Sequence, residues 1–193
     1  MSTHRMLFSP AARRAARTLL ALAVFGLPWA QATTIARMSV SELTRQSSYI
    51  ARVRCVSATS MADLNLVWTL NTFEVTEAWK GNPPSRFTVR LPGGDAAGIR
   101  VRVEGAPRFA VGEEAVLFLS DDRGRQMNIL SWMQGTFRVR KDSRTGIEQA
   151  IQDTSGLQVL DARSGVRADG GRNRITLAAL RAAVTRALQG GQQ

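Results

Sequence analysis

Histidine and cysteine are almost missing from this chain: each occurs once, as His4 and Cys55. His4 falls in a stretch read below as a removable leader, which leaves the rest of the chain without an imidazole. That excludes Ser-His-Asp and Cys-His nucleophilic catalysis and every histidine-ligated metal site. One thiol excludes a cysteine zinc site and an internal disulfide, so the fold must stand on its core alone. A chain of this length buries enough surface to do so. Lysine is scarce too: Lys80 and Lys141 stand against 24 arginines. A Ser–Lys dyad needs a desolvated lysine, and both lysines are expected in solvated turns, beside Gly81 and Asp142. No later stretch is apolar and long enough for a membrane-spanning helix, which takes about 20 residues.

What is present begins with a leader. Arg5, Arg13, Arg14 and Arg17 are followed by an apolar run, Thr18 to Leu27, and then by Ala30-Gln31-Ala32. Basic, apolar and small-residue segments in that order predict a secretory signal at 1–32, cleaved after Ala32. The product is expected to be exported, either periplasmic or secreted. It would hold 161 residues with 22 basic and 15 acidic side chains, a net charge of +7.

Met38-Ser39-Val40-Ser41-Glu42-Leu43 carries a capping box, Ser39 with Glu42, and predicts a short helix from Val40 to Gln46. The period then changes to two. Tyr49, Ala51, Val53 and Cys55 alternate with Arg52 and Arg54, as in a half-buried strand. Val67 to Trp79 reads as a long strand whose parity breaks near Asn71 and Thr72, where a β-bulge is expected. Phe87-Val89-Leu91 and Ile99-Val101-Val103 alternate with arginines. Ala115 to Leu119 is apolar on both parities and should be a central strand covered on both sides. Strands are also expected at Met127–Trp132, Gly135–Val139 and Ile147–Ile151. The polar stretch 152–174 reads as a flexible loop. Thr176 then caps an amphipathic helix, with Leu177, Leu180, Val184 and Leu188 on one face. The expected class is mainly β: a small antiparallel OB-like barrel over 33–151, with a short N-terminal helix and a C-terminal amphipathic helix over 175–189.

Val75-Thr76-Glu77-Ala78-Trp79-Lys80-Gly81, Pro92-Gly93-Gly94, Gly105-Ala106-Pro107-Arg108-Phe109, Gly112-Glu113 running into Leu117-Phe118-Leu119, and Gln134-Gly135 form a recurring pattern. Over roughly residues 38–140 it resembles a group of small exported bacterial proteins similar to the netrin-like, tissue-inhibitor-of-metalloproteinase-like OB barrel. The resemblance implies that barrel and an exported role. Its motifs are turn and core residues and speak for fold more than activity. The zinc-chelating N-terminal cysteine of such inhibitors has no counterpart, since Thr33 follows the expected cleavage and Cys55 lies within a strand.

The remaining candidates are weighed by chemistry. Glu74 with Glu77, Glu113 with Glu114, and Asp121 with Asp122 are the paired carboxylates a hydrolase could use. Their plainer reading is pairing with cross-strand arginines. Cys55 reads as a core thiol. Arg52, Arg54, Arg86, Arg90, Arg100, Arg102, Arg138 and Arg140 each lie opposite an apolar parity. On one sheet they would make an arginine-rich face able to bind a polyanion or an anionic surface. Nucleic acid is not expected as a partner: the leader directs the protein away from it, and Phe73, Phe87, Phe109, Phe118 and Phe137 fall on core parity, leaving no stacking platform. The leading expectation is an exported, non-catalytic module with an envelope or extracellular protein as partner, and with no cofactor or metal. Arginine-face polyanion binding and a carboxylate-only hydrolase are the alternatives. An apolar exposed patch would favour the module.

Overall fold

The architecture is that of a computed structural model, which describes residues 34–64, 66–122, 126–155, 157–160 and 165–190. The expected leader therefore lies outside the described residues. Ser39 starts the first helix, α1 (Val40–Gln46), through the expected capping box: its hydroxyl accepts from the Glu42 amide while the Glu42 carboxylate accepts from the Ser39 amide. Lys80 closes the other end. Its Nζ donates to the carbonyls of Thr44 at 2.6 Å and Ser47 at 2.5 Å. Burial lowers the pKa of this lysine. Contrary to expectation Lys80 is thus partly desolvated and ends a strand, but its ammonium is engaged with helix carbonyls.

The strands are β1 (Thr34–Ala36), β2 (Tyr49–Asp63), β3 (Leu66–Lys80), β4 (Arg86–Pro92), β5 (Gly94–Ala96), β6 (Ile99–Val101), β7 (Glu114–Asp121), β8 (Met127–Ile129), β9 (Thr136–Lys141), β10 (Glu148–Asp153), β11 (Gln158–Leu160), β12 (Arg167–Asp169) and β13 (Arg172–Thr176). The main sheet has the order β13-β10-β9-β7-β2-β3-β4, with β8 paired to β7, and every pair in it is antiparallel. A second helix, α2 (Leu177–Gln189), follows β13 and is capped by the Thr176 hydroxyl, as expected.

The mainly β, antiparallel class with two terminal helices is what the alternating pattern predicts. The closed barrel is not found. Among the described residues β13 and β4 are outer strands, each paired on one side only. The reason lies in the cover. A small barrel has one interior, whereas this sheet buries two faces. Ala51, Val53, Cys55, Phe73, Phe87, Val89, Leu117 and Leu119 form one core with Phe109. Ile50, Val116, Phe118, Phe137, Val139 and Ala150 form another beneath Leu43 of α1 and Leu177, Leu180 and Val184 of α2. The double parity of Ala115–Leu119 follows from this: β7 is sandwiched, as expected, and its five residues are buried.

Two further expectations shift. The irregularity sought near Asn71 and Thr72 lies at that level of the sheet but in the neighbouring strand. Cys55 pairs with Phe73 and Ser57 with Thr72, so Val56 is the extra residue. With β3 unbroken there, Trp68 and Leu70 emerge on the opposite face from Asn71 and Phe73. The stretch 152–174 is also not a plain loop. It completes β10, forms β11 and β12 and begins β13; β11 pairs in parallel with β1 and antiparallel with β12. Leu157 and Val159 are buried and anchor it, as their apolarity suggests.

Candidate binding surface

The eight arginines of the expected basic face do not come together. Arg52 and Arg54 lie on the helix-covered side of the sheet. Arg52 donates to Glu114 and Glu148, both at 2.6 Å, and Arg54 to Glu114 at 2.7 Å. These guanidiniums hold the Glu114 carboxyl below its usual range, and Glu148 and Glu114 raise Arg52. Arg54 faces Glu74 in the next strand, and Glu74 faces Arg86 beyond it. The row Glu114–Arg54–Glu74–Arg86 therefore alternates in sign across four strands. Arg138 and Arg140 lie on the other face, opposite Ala115 and Gln149. Both reach the buried carboxylate of Glu113, and Arg138 also stacks over Phe109. Arg100 sits on β6, outside the main sheet, and pairs with Asp95 at 2.7 Å. Arg102 is exposed just beyond β6.

Four of the paired carboxylates are likewise taken up by arginines. Glu113 and Glu114 turn to opposite faces of the sheet. Glu77 binds Arg181 of α2 at 2.5 Å and accepts from the Trp79 indole, while Glu74 faces Arg86 at 3.9 Å. Among the described residues no cluster of three or more His, Cys, Asp or Glu side chains is placed to hold a metal. Cys55 is fully buried, its thiol against the Ser57 carbonyl at 3.4 Å, and burial raises its pKa. It is a core residue.

The surface that stands apart is made by the distal halves of β2 and β3, an arm from Ser57 to Thr72. β7 pairs with β2 only from Tyr49 to Arg54. Past that point the two helices no longer cover the sheet. One side of the arm is clamped. Gly94 of β5 crosses Ser60 and Thr69 so closely that a Cβ there would lie 2.4 Å from either hydroxyl oxygen. Ser60 and Thr69 are joined at 2.9 Å, and the Thr69 hydroxyl donates to the Gly93 carbonyl at 2.7 Å. The other side is bare and apolar. Met61 pairs with Trp68, which pairs with Pro92; Thr59 pairs with Leu70, which pairs with Arg90. Arg90 lies over the Trp68 ring at 4.2 Å and reaches Asp63 at 3.2 Å. Met61 is 45 % exposed, Leu66 59 % and Leu64, at the tip, 98 %. Leu64 also adopts φ 53°, a left-handed backbone that a leucine enters at a cost.

Trp, Met and Arg are enriched at protein–protein contacts, and Trp and Arg among the residues that carry most of their binding energy. Of this group only Arg90 was singled out from the sequence. The bulge expected near Asn71 and Thr72 would put Trp68 and Leu70 on the face of Phe73; with β3 unbroken there they lie on the other face. Met61, Leu64 and Leu66 are the available signal: apolar residues around the predicted end of a strand, where a turn should be polar.

Among the described residues no helix is long and apolar enough to cross a membrane. The chain matches no known family model, no curated protein and no solved structure.

Proposed function

We propose that this protein is an exported, non-catalytic binding module of the cell envelope or extracellular space, and that a partner protein docks on the bare face of the arm. The observation that carries the reading is the strip Met61–Trp68–Leu70–Leu66 with Leu64 at its end. Met61, Leu64 and Leu66 are exposed and Trp68 and Leu70 half-buried, so the strip gathers three of the eight large apolar side chains exposed among the described residues. The exported character rests on the leader pattern of residues 1–32. Kinship with small exported netrin-like proteins belongs to the same proposal, supported by motif glycines that serve as turns, Gly81, Gly105 and Gly112, each with positive φ.

The test is a comparison of captures. The protein, produced from the whole 193-residue sequence, is immobilised beside Trp68→Ala and Met61→Ser variants of matched melting temperature. Envelope and culture-supernatant proteins are passed over each. The reading expects one protein held by the native chain at high salt and lost from both variants. Equal retention on all three surfaces overturns it.

One observation favours the polyanion alternative in a narrower form. Arg138 and Arg174 flank Ile151 from either side in one cross-strand row, and Arg140 and Arg172 lie on the same face. This gathers four arginines against Glu113 and Asp153. Arg172 and Arg174 lay in the expected loop and were missed for that reason. If this face binds an acidic polymer, retention on an anionic matrix should fall steeply with salt and should weaken in Arg140→Ser and Arg174→Ser. An unchanged elution salt in both variants removes this reading.

A further inference from the structure

The arm has a second exposed feature, independent of its apolar face: an unpaired strand edge. Gly112 N and Glu113 O close onto Cys55, and there the neighbour of β2 ends. From Ser57 to Asp63 no backbone partner other than β3 is found along this edge among the described residues, which leaves a template for one more strand. On its clamped face the Asp95 amide donates to the Ser60 hydroxyl at 3.3 Å.

Natural sheets protect such edges with charge or proline. The other two ends of this sheet follow that rule. β4 carries Arg86, Arg90 and Pro92, and β13 carries Arg172 and Arg174. The arm edge, Ser57 to Asp63, has no proline, and its one charge, Asp63, lies at the far end. Its side chains are small apart from Met61. Strand addition supplies affinity through main-chain hydrogen bonds, so such an edge suits an extended polypeptide rather than a small ligand.

We infer that the occupant is the same edge of a second copy, paired antiparallel about a two-fold axis at Ser60. Such an isologous contact must be compatible with itself at every position. Here Ser60 meets Ser60, Thr59 meets Met61, Ala58 meets Ala62 and Ser57 meets Asp63, with no like charges opposed. The same register carries the tip of each arm to the level of Val56 in the other copy. The turn ending at Gly112 borders that place through its bond to Cys55. Leu64, 98 % exposed, then lies beside Val111, 67 % exposed, and each covers an apolar side chain that the single chain leaves in water. The pairing also puts the two Met61–Trp68 strips on one side of a continuous sheet.

The register makes a charge test possible. A Thr59→Lys, Met61→Lys chain opposes lysine to lysine twice across the axis, whereas a Thr59→Glu, Met61→Lys chain opposes glutamate to lysine twice. Both lose the same two native side chains. Sedimentation equilibrium of the whole-sequence protein should give twice the mass of one chain for the native form. The double-lysine form should dimerise at least roughly tenfold more weakly and the glutamate–lysine form close to native. A native protein that stays monomeric overturns the inference. So does equal weakening of both variants, which would move the contact to the apolar face, and so does an unchanged dimer in both. Should the double-lysine chain fail to fold, hydrogen exchange on the native protein decides without a variant. Amides within Ser57–Asp63 should slow as concentration rises while those of β4 do not; uniform rates across concentration overturn the pairing. Loss of the captured partner in Trp68→Ala with the dimer intact would leave this inference standing, so the two proposals fail separately.

Discussion

β2 and β3 each live in two environments, and the contrast shows how one hairpin is both core and surface. Up to Cys55, β2 lies between β3 and β7, with Ile50 facing one core and Ala51, Val53 and Cys55 the other, all fully buried. Beyond the bulge at Val56 the same strand has one neighbour, small side chains and an exposed tip. The chemistry changes with the environment. In the inner half each charge is matched by a neighbour: Arg52, Arg54, Glu114, Glu148 and Glu74 form a connected set. In the outer half apolar side chains are left uncovered. Stability should therefore reside in the inner half and recognition in the outer half.

The largest expected effect breaks the inner half. Phe118 is fully buried on β7 against Phe137, with ring centroids 5.5 Å apart. Phe118→Ala should lose about 3–5 kcal/mol of stability, measured by urea unfolding. A loss below about 1 kcal/mol would mean that the helix-side core is not a packed unit.

A smaller effect is read by pH in the covered part of the sheet. Asp153 on β10 is held at about 2, below the ordinary 3.8, by hydrogen bonding from Ser155 and by the Arg172 guanidinium. A carboxyl depressed in the folded state stabilises fully above its unfolded value, and this stabilisation is lost as pH falls from about 4 through about 2. The melting temperature of the native protein should drop across that window, and Asp153→Asn should flatten the drop. Glu114, also depressed, adds to the same acid side.

The smallest expected effect has opposite signs for stability and binding. Leu64 holds φ 53° at the arm tip, where glycine is favoured. Leu64→Gly should raise stability by up to about 1 kcal/mol, through relief of the left-handed backbone. It should also weaken partner capture and self-association, because the exposed leucine is gone. A change of both in the same direction would show that Leu64 serves the hairpin alone.

Much of the fold was legible because it depends on local periodicity. The capping box at Ser39 and Glu42, the cap at Thr176 and the doubly apolar Ala115–Leu119 each carry their meaning within a few residues, and all three take the expected form. Phe73, Phe87, Phe109, Phe118 and Phe137 are buried as their parity implied. Cys55 is a core thiol for the same reason. The candidate surface was less legible. Alternation says which side chains share a face of one strand, but it does not say whether that face is covered. Arg52 and Arg138 each oppose an apolar parity, yet they end on different faces of one sheet, because β2 and β9 turn different parities toward the helices. Trp68 and Leu70 look like core residues in sequence, and they are surface residues because the extra residue belongs to β2.

By itself the sequence determined the class, the two helices and the chemistry that is missing: one cysteine and no histidine after residue 4 rule out whole families of sites whatever the fold. Tertiary structure alone decided that the sheet stays open, that it buries two faces and that its hairpin outruns its cover. These outcomes depend on which strands become neighbours and on where a bulge is inserted. Both are set by contacts between residues far apart in the chain, Cys55 with Glu113 and Ser60 with Gly94, and a local pattern carries no trace of them.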